Sequence, residues 1–79
     1  MTSRAALEAC LLQAHAAGDT KALVALYAQA ADLADAEEAE AFYLTHAYVF
    51  ALQTGAPQRH ALNARLVAMG REAPLPPQD

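Results

Sequence analysis

The chain predicts an all-α fold: four antiparallel helices arranged as two tandem helical hairpins, followed by an unstructured proline-rich tail. Three observations carry this. Alanine, the strongest helix former, dominates the composition, and β-branched residues are few. Apolar residues recur at intervals of three and four through most of the chain. Gly18, Gly55 and Gly70 punctuate these periodic stretches where helices should end.

The first helix is expected from about Ser3 to Ala17, with Thr2 or Ser3 as its cap and Gly18 as its stop. Its apolar stripe is Leu7, Cys10, Leu11 and Ala14, and Leu12 lies off it. The second helix starts at Asp19 or Thr20, both capping residues, and runs to about Ala34 with Leu23, Leu26, Tyr27, Ala30 and Leu33 as its stripe. The short gap between the two forces them antiparallel.

The third helix spans Asp35 to Gly55. Asp35 is placed to cap, and Glu38 three residues on resembles the partner in a capping box. Glu37, Glu38 and Glu40 lie near the positive end of the helix dipole. This helix carries Phe42, Tyr43, Tyr48 and Phe50, four of the five aromatic residues, with Leu44, Val49 and Leu52. It is apolar on almost every side, and such a helix needs cover on every side. Leu44, Tyr48 and Leu52 recur at four-residue intervals and are expected inward, met by Leu11, Leu26 and Leu66.

The fourth helix opens at Ala56-Pro57, proline suiting the first helical position, and runs to about Met69 before Gly70. Ala61, Leu62, Leu66 and Met69 form its stripe, with Arg59, Asn63 and Arg65 more exposed. Residues 1–71 therefore make one domain. Residues 72–79, including Pro74, Leu75, Pro76 and Pro77, make a flexible tail.

Composition narrows function by exclusion. The formal net charge is −4 and the five cations are dispersed, which disfavours nucleic-acid binding. No apolar run reaches transmembrane length, and the N-terminus lacks the order of a signal peptide, so a cytoplasmic protein is expected. A single cysteine excludes a disulfide within the chain. A domain of 79 residues has little core to spare, so tight helix packing or association with another molecule must supplement it.

The Gly18-Asp19 turn followed by Tyr27 and Ala30, and the run Ala47, Tyr48, Ala51 before Gly55, resemble the tetratricopeptide repeat. The two turns are 37 residues apart where the family has 34, no tryptophan is present, and no proline closes the first unit near Asp35. The resemblance implies a concave peptide-binding face and no catalysis.

No chemistry can be assembled from the reactive side chains. Cys10 and His15 lie about 140° apart on one helix, so they cannot pair, and Cys10 is expected to be a buried, inert thiol. His15, His46 and His60 fall on three helices with no paired ligand spacing, so no metal or cofactor is expected. A histidine-based metal- or ligand-binding protein is kept as an alternative. His46, among aromatics, reads most simply as a seam histidine bonded to backbone or to an acidic neighbour. The acids Asp32, Asp35, Glu37, Glu38 and Glu40 are expected to pair with Arg65 and Arg71 across the hairpin. Pro74-Leu75-Pro76-Pro77 is a minimal polyproline segment, read as an unstructured end.

What remains is the surplus apolar surface of the third helix. It points to a small non-catalytic interaction or adaptor module, or a homodimer built on the same helix. Phe42, Tyr43, His46 and Phe50 are the candidate interface residues, with Tyr43 and Phe50 as anchors.

Overall fold

The computed structural model describes residues 3–75. Four helices are formed: α1 (Arg4–Ala17), α2 (Thr20–Leu33), α3 (Glu37–Thr54) and α4 (Gln58–Ala68), with no strand among the described residues. The first two are capped by side chains, as the sequence leads one to expect. Ser3 Oγ accepts from the Ala6 N–H at 3.1 Å, and Asp19 Oδ1 accepts from the Ala22 N–H at 3.2 Å. Gly18 and Gly55 close α1 and α3 in the left-handed conformation, at φ 66° and 68°. No atom would crowd a Cβ at either glycine, so backbone conformation alone favours glycine there.

The start of α3 differs from expectation. Ala36, extended at φ −128°, occupies the N-cap position and no side chain caps the helix. Asp35 points into solvent 3.7 Å from Arg4, so the capping box with Glu38 does not form. The acids Glu37, Glu38 and Glu40 in the first turn complement the dipole in its place. Pro57 sits at the N-cap of α4, one position before the expected one.

The helices pack in chain order: α1 on α2, α2 on α3 and α3 on α4, the middle contact being the most extensive. Cross-connections fix the antiparallel sense. Arg4, at the start of α1, donates to the Leu33 carbonyl at the end of α2. Arg65 and Arg71, at and beyond the end of α4, reach Glu40 and Glu38 at the start of α3. The result is a slab of 38 × 27 × 18 Å.

The core lies between α2, α3 and α4: Val24 and Ala31, then Leu44, Ala47, Tyr48 and Ala51, then Leu62 and Leu66. Alanines at Ala31, Ala47 and Ala51 leave room for close helix approach, while Leu44, Leu66 and Val24 supply the fully buried bulk. Helix α1 is held by a second buried set, Leu7, Ala14, Leu23 and Ala30.

Several inward assignments are corrected here. Leu52 is 47% exposed. Each four-residue step advances about 40° around a helix, so the line Leu44–Tyr48–Leu52 rotates out of the seam. Ala51, seven residues from Leu44, takes the inward place and is fully buried. Cys10 is exposed, because α1 has a main neighbour on one side only and buries a narrow line. Leu33 and Ala61 are exposed, while Leu11 and Leu26 are half-buried.

Asn63, expected outside, is buried. Its amide donates to the Ala73 carbonyl at 2.9 Å, and its oxygen accepts from the Leu75 N–H at 3.1 Å. It thus treats the descending chain as a neighbouring strand would, and Leu75 packs against the core. Residues 73–75 are therefore docked, and residues 76–79 of the expected tail lie outside the described residues. Among the described residues no helix is long and apolar enough to cross a membrane.

Candidate functional site: the two open sides of α3

With the core side of α3 facing α2 and α4, two further sides remain. The first faces α1 and α2 and holds the aromatic cluster. Tyr27 of α2 is its hub. On its α3 side it stacks on His46 (centroids 5.1 Å apart) and on Phe50 (5.9 Å), and lies 6.3 Å from Tyr43. On its α1 side its hydroxyl is 2.8 Å from His15 Nε2, the two sharing one hydrogen whose direction follows the histidine tautomer. His15 also meets Phe50 edge-on at 6.1 Å. The cluster therefore ties three helices together through one tyrosine.

His46 is fixed within it. Its Nδ1 lies 2.9 Å from the Phe42 carbonyl, which can only accept, so Nδ1 carries the hydrogen. Its ring also rests against Phe42 at 4.4 Å. This is a seam histidine as expected from the sequence, and of the two partners left open there, backbone or acid, it takes the backbone. The arrangement rigidifies, and it presents no nucleophile–base–orienter set. Among the described residues, no group of three or more His, Cys, Asp or Glu could hold a metal ion. His60 stands exposed on α4.

The second side faces solvent. Phe42 (57% exposed), Val49 (44%) and Leu52 (47%) line it, with Thr45 between. Intervals of three, four and three residues separate these four positions, so they form one straight stripe along the helix. Two shallow depressions flank it. One, of about 410 Å³, is lined by Glu38, Ala41, Phe42, Thr45, His46 and Arg71. The other, of about 170 Å³, is lined by Thr45, His46, Val49 and Phe50.

The four candidate interface residues thus divide. Phe42 belongs to the open stripe. Tyr43 and Phe50, expected as anchors, are half-buried against Tyr27, and His46 lies on the border between the two sides. Val49 and Leu52 complete the exposed surface in their place. The role of Tyr27 was not read from the sequence. The signal for it is that Leu23 and Ala30, and separately Val24 and Ala31, repeat at seven residues on adjacent lines of α2. Two adjacent buried lines mean a helix with neighbours on both sides, and Tyr27 lies between them.

Charge is concentrated at one end of this surface. Arg65 joins Asp32 (3.0 Å) and Glu40 (3.3 Å), and Arg71 pairs with Glu38. Hydrogen bonding and then charge from Arg71 hold the Glu38 carboxyl below its ordinary value, and Glu38 correspondingly raises Arg71. Of the five acids expected to pair with Arg65 and Arg71, Asp32, Glu38 and Glu40 do so, while Asp35 lies beside Arg4 instead.

Comparison with known proteins finds no matching family model, no matching curated protein and no matching solved structure.

Proposed function

We propose that this chain is a small, non-catalytic, cytoplasmic protein-interaction module that binds through the solvent-facing stripe of α3. One observation carries the proposal: Phe42, Val49 and Leu52 stand exposed in a line on the best-supported helix of the domain. Scattered exposed apolar residues need no explanation, but contiguous ones on a rigid element mark contact surfaces. The aromatic cluster beside the stripe supplies rigidity, which lowers the ordering cost of binding. Packing of the helices in chain order supports the tetratricopeptide-like reading of the scaffold.

The test is site-specific photo-crosslinking in cells that naturally make the protein. A photoreactive phenylalanine replacing Val49 should capture a discrete protein adduct. The same group replacing Ala16, exposed on α1, should not. Equal labelling at both positions, or none at either, would overturn the proposal.

A further inference from the structure

We propose that the seam between α3 and α4 is a binding site for an extended peptide segment of another protein, any residue followed by proline and leucine. Ala73, Pro74 and Leu75 occupy that site as a built-in competitor. The proposal goes beyond the contact assigned to the open stripe of α3 and does not depend on it.

Asn63 is the reading group. Its side chain is buried, with the residue 6% exposed, and its amide is directed at main chain. Nδ2 donates to the Ala73 carbonyl at 2.9 Å, and Oδ1 accepts from the Leu75 N–H at 3.1 Å. These two groups flank one residue and lie on one edge of the chain, as a strand presents itself to a neighbour. The amide is oriented from behind by the Tyr48 hydroxyl, which accepts from Nδ2 at 3.4 Å. Both side chains are buried on rigid helices, so the reading geometry is set before any occupant arrives.

The occupant shows what the site selects. Neither hydrogen bond uses a side chain of residues 73–75, and Ala73 and Pro74 are exposed. The first position is therefore unselective. The middle position suits proline, which has no N–H to leave unpaired and a fixed φ that keeps the segment extended. Leu75 is half-buried and packs against the core, so the third position calls for leucine.

The same details make the occupant exchangeable. Leu44, Ala47, Ala51 and Leu66 are buried within the helices themselves, and residues 73–75 add one half-buried leucine and two hydrogen bonds. An empty site would leave the buried Asn63 amide short of partners, which favours replacement of the segment over its simple release. The segment starts from a fixed point, since Arg71 pairs with Glu38 and its N–H bonds the Leu66 carbonyl. So short a tether gives it an effective concentration on the order of millimolar or higher, which a second peptide must overcome.

Nuclear magnetic resonance titration of the full chain tests this. The probe is acetyl-Glu-Ala-Pro-Leu-Pro-Pro-amide, the sequence of residues 72–77. In the full-length Leu75→Asp variant, whose own segment no longer docks an apolar side chain, the peptide should shift the Asn63 side-chain NH2 signals and saturate in roughly the millimolar range. Wild type should bind it about tenfold or more weakly, because its site is already filled. The same peptide carrying N-methyl-leucine lacks the donor that Asn63 accepts and should leave the Asn63 signals in place. No shift at Asn63 in Leu75→Asp, equal affinity of variant and wild type, or undiminished binding of the N-methylated peptide would each overturn the proposal. If Leu75→Asp loses the helical circular dichroism of the parent, Leu75→Ala replaces it and the same three outcomes apply. Photo-crosslinking at position 49 reports on the stripe alone, so either reading can fail without the other.

Discussion

Tyr48 and Val49 are neighbours in sequence, and they face opposite worlds. The Tyr48 side of α3 meets α2 and α4 through Leu44, Ala47 and Ala51, all of them completely buried. The Val49 side, with Phe42 and Leu52, is no less apolar and has nothing over it within the described residues. Composition does not distinguish them; position around the helix does. Helices that pack in chain order leave the middle ones with two neighbours each, and a helix apolar all round then has one side too many. The difference teaches that the surplus is local. It belongs to one line of α3, and the aromatic cluster around Tyr27 lies outside it.

Substitutions on the two sides should separate by magnitude. Tyr48→Ala has the largest expected effect, a loss of about 3–5 kcal/mol, comparable to the whole stability of a domain this size. Chemical denaturation should find the variant largely unfolded in water, and a transition close to that of the parent would put Tyr48 on the wrong side.

Asn63→Ala probes what covers the far edge of the core. It strips partners from the Ala73 carbonyl and the Leu75 N–H, and it removes a 3.4 Å contact with the Tyr48 hydroxyl. A cost of about 1–3 kcal/mol is expected, with hydrogen exchange at Leu75 accelerated. Unchanged exchange at Leu75 would show that Asn63 does not hold the chain there.

Leu52→Ala sharpens the boundary between the two sides. A half-exposed leucine at the edge of the core should cost below about 1 kcal/mol, whereas a core leucine costs about 2–5 kcal/mol. A value in the core range would return Leu52 to the inward face.

Glu38 stands at the head of the open side, and its effect is the smallest. Arg71 holds its folded carboxyl below the ordinary 4.5, so the unfolded chain takes up that proton first as the pH falls. The contribution is complete above the usual glutamate range and is lost as pH drops through the lowered folded value. Glu38→Gln should therefore flatten part of the acid side of the stability curve and leave neutral pH almost unchanged. An identical acid slope in both proteins would contradict the pairing.

Much of this was legible in the sequence because it depends on single residues. Ser3, Asp19, Gly18 and Gly55 act through their own chemistry at helix ends, and each stands where it was expected. The pairing of Arg65 and Arg71 with the acids followed from the antiparallel sense alone. What was not legible depends on how far each helix is surrounded. Cys10 lay on an apolar line, and nothing in the sequence says that α1 would be covered on one side only. Asn63 looked like a surface residue because its partners, the backbone of residues 73 and 75, carry no side-chain signal. Asp35 had the right chemistry for a cap, but the helix begins one residue later than that role requires. Tyr43 and Phe50 were expected as anchors for their size, and it took the placement of Tyr27 to show that they are already engaged.

The central claim, that α3 has one side committed to the fold and one left for contact, is tested most directly by the unfolding free energy of Val49→Glu, measured by urea denaturation at low protein concentration. A charge on a surface that the monomer leaves open should change stability by no more than about 0.5 kcal/mol. A loss of several kcal/mol, approaching that of Tyr48→Ala, would show that the chain covers this side itself and would remove the surface on which the proposed contact depends.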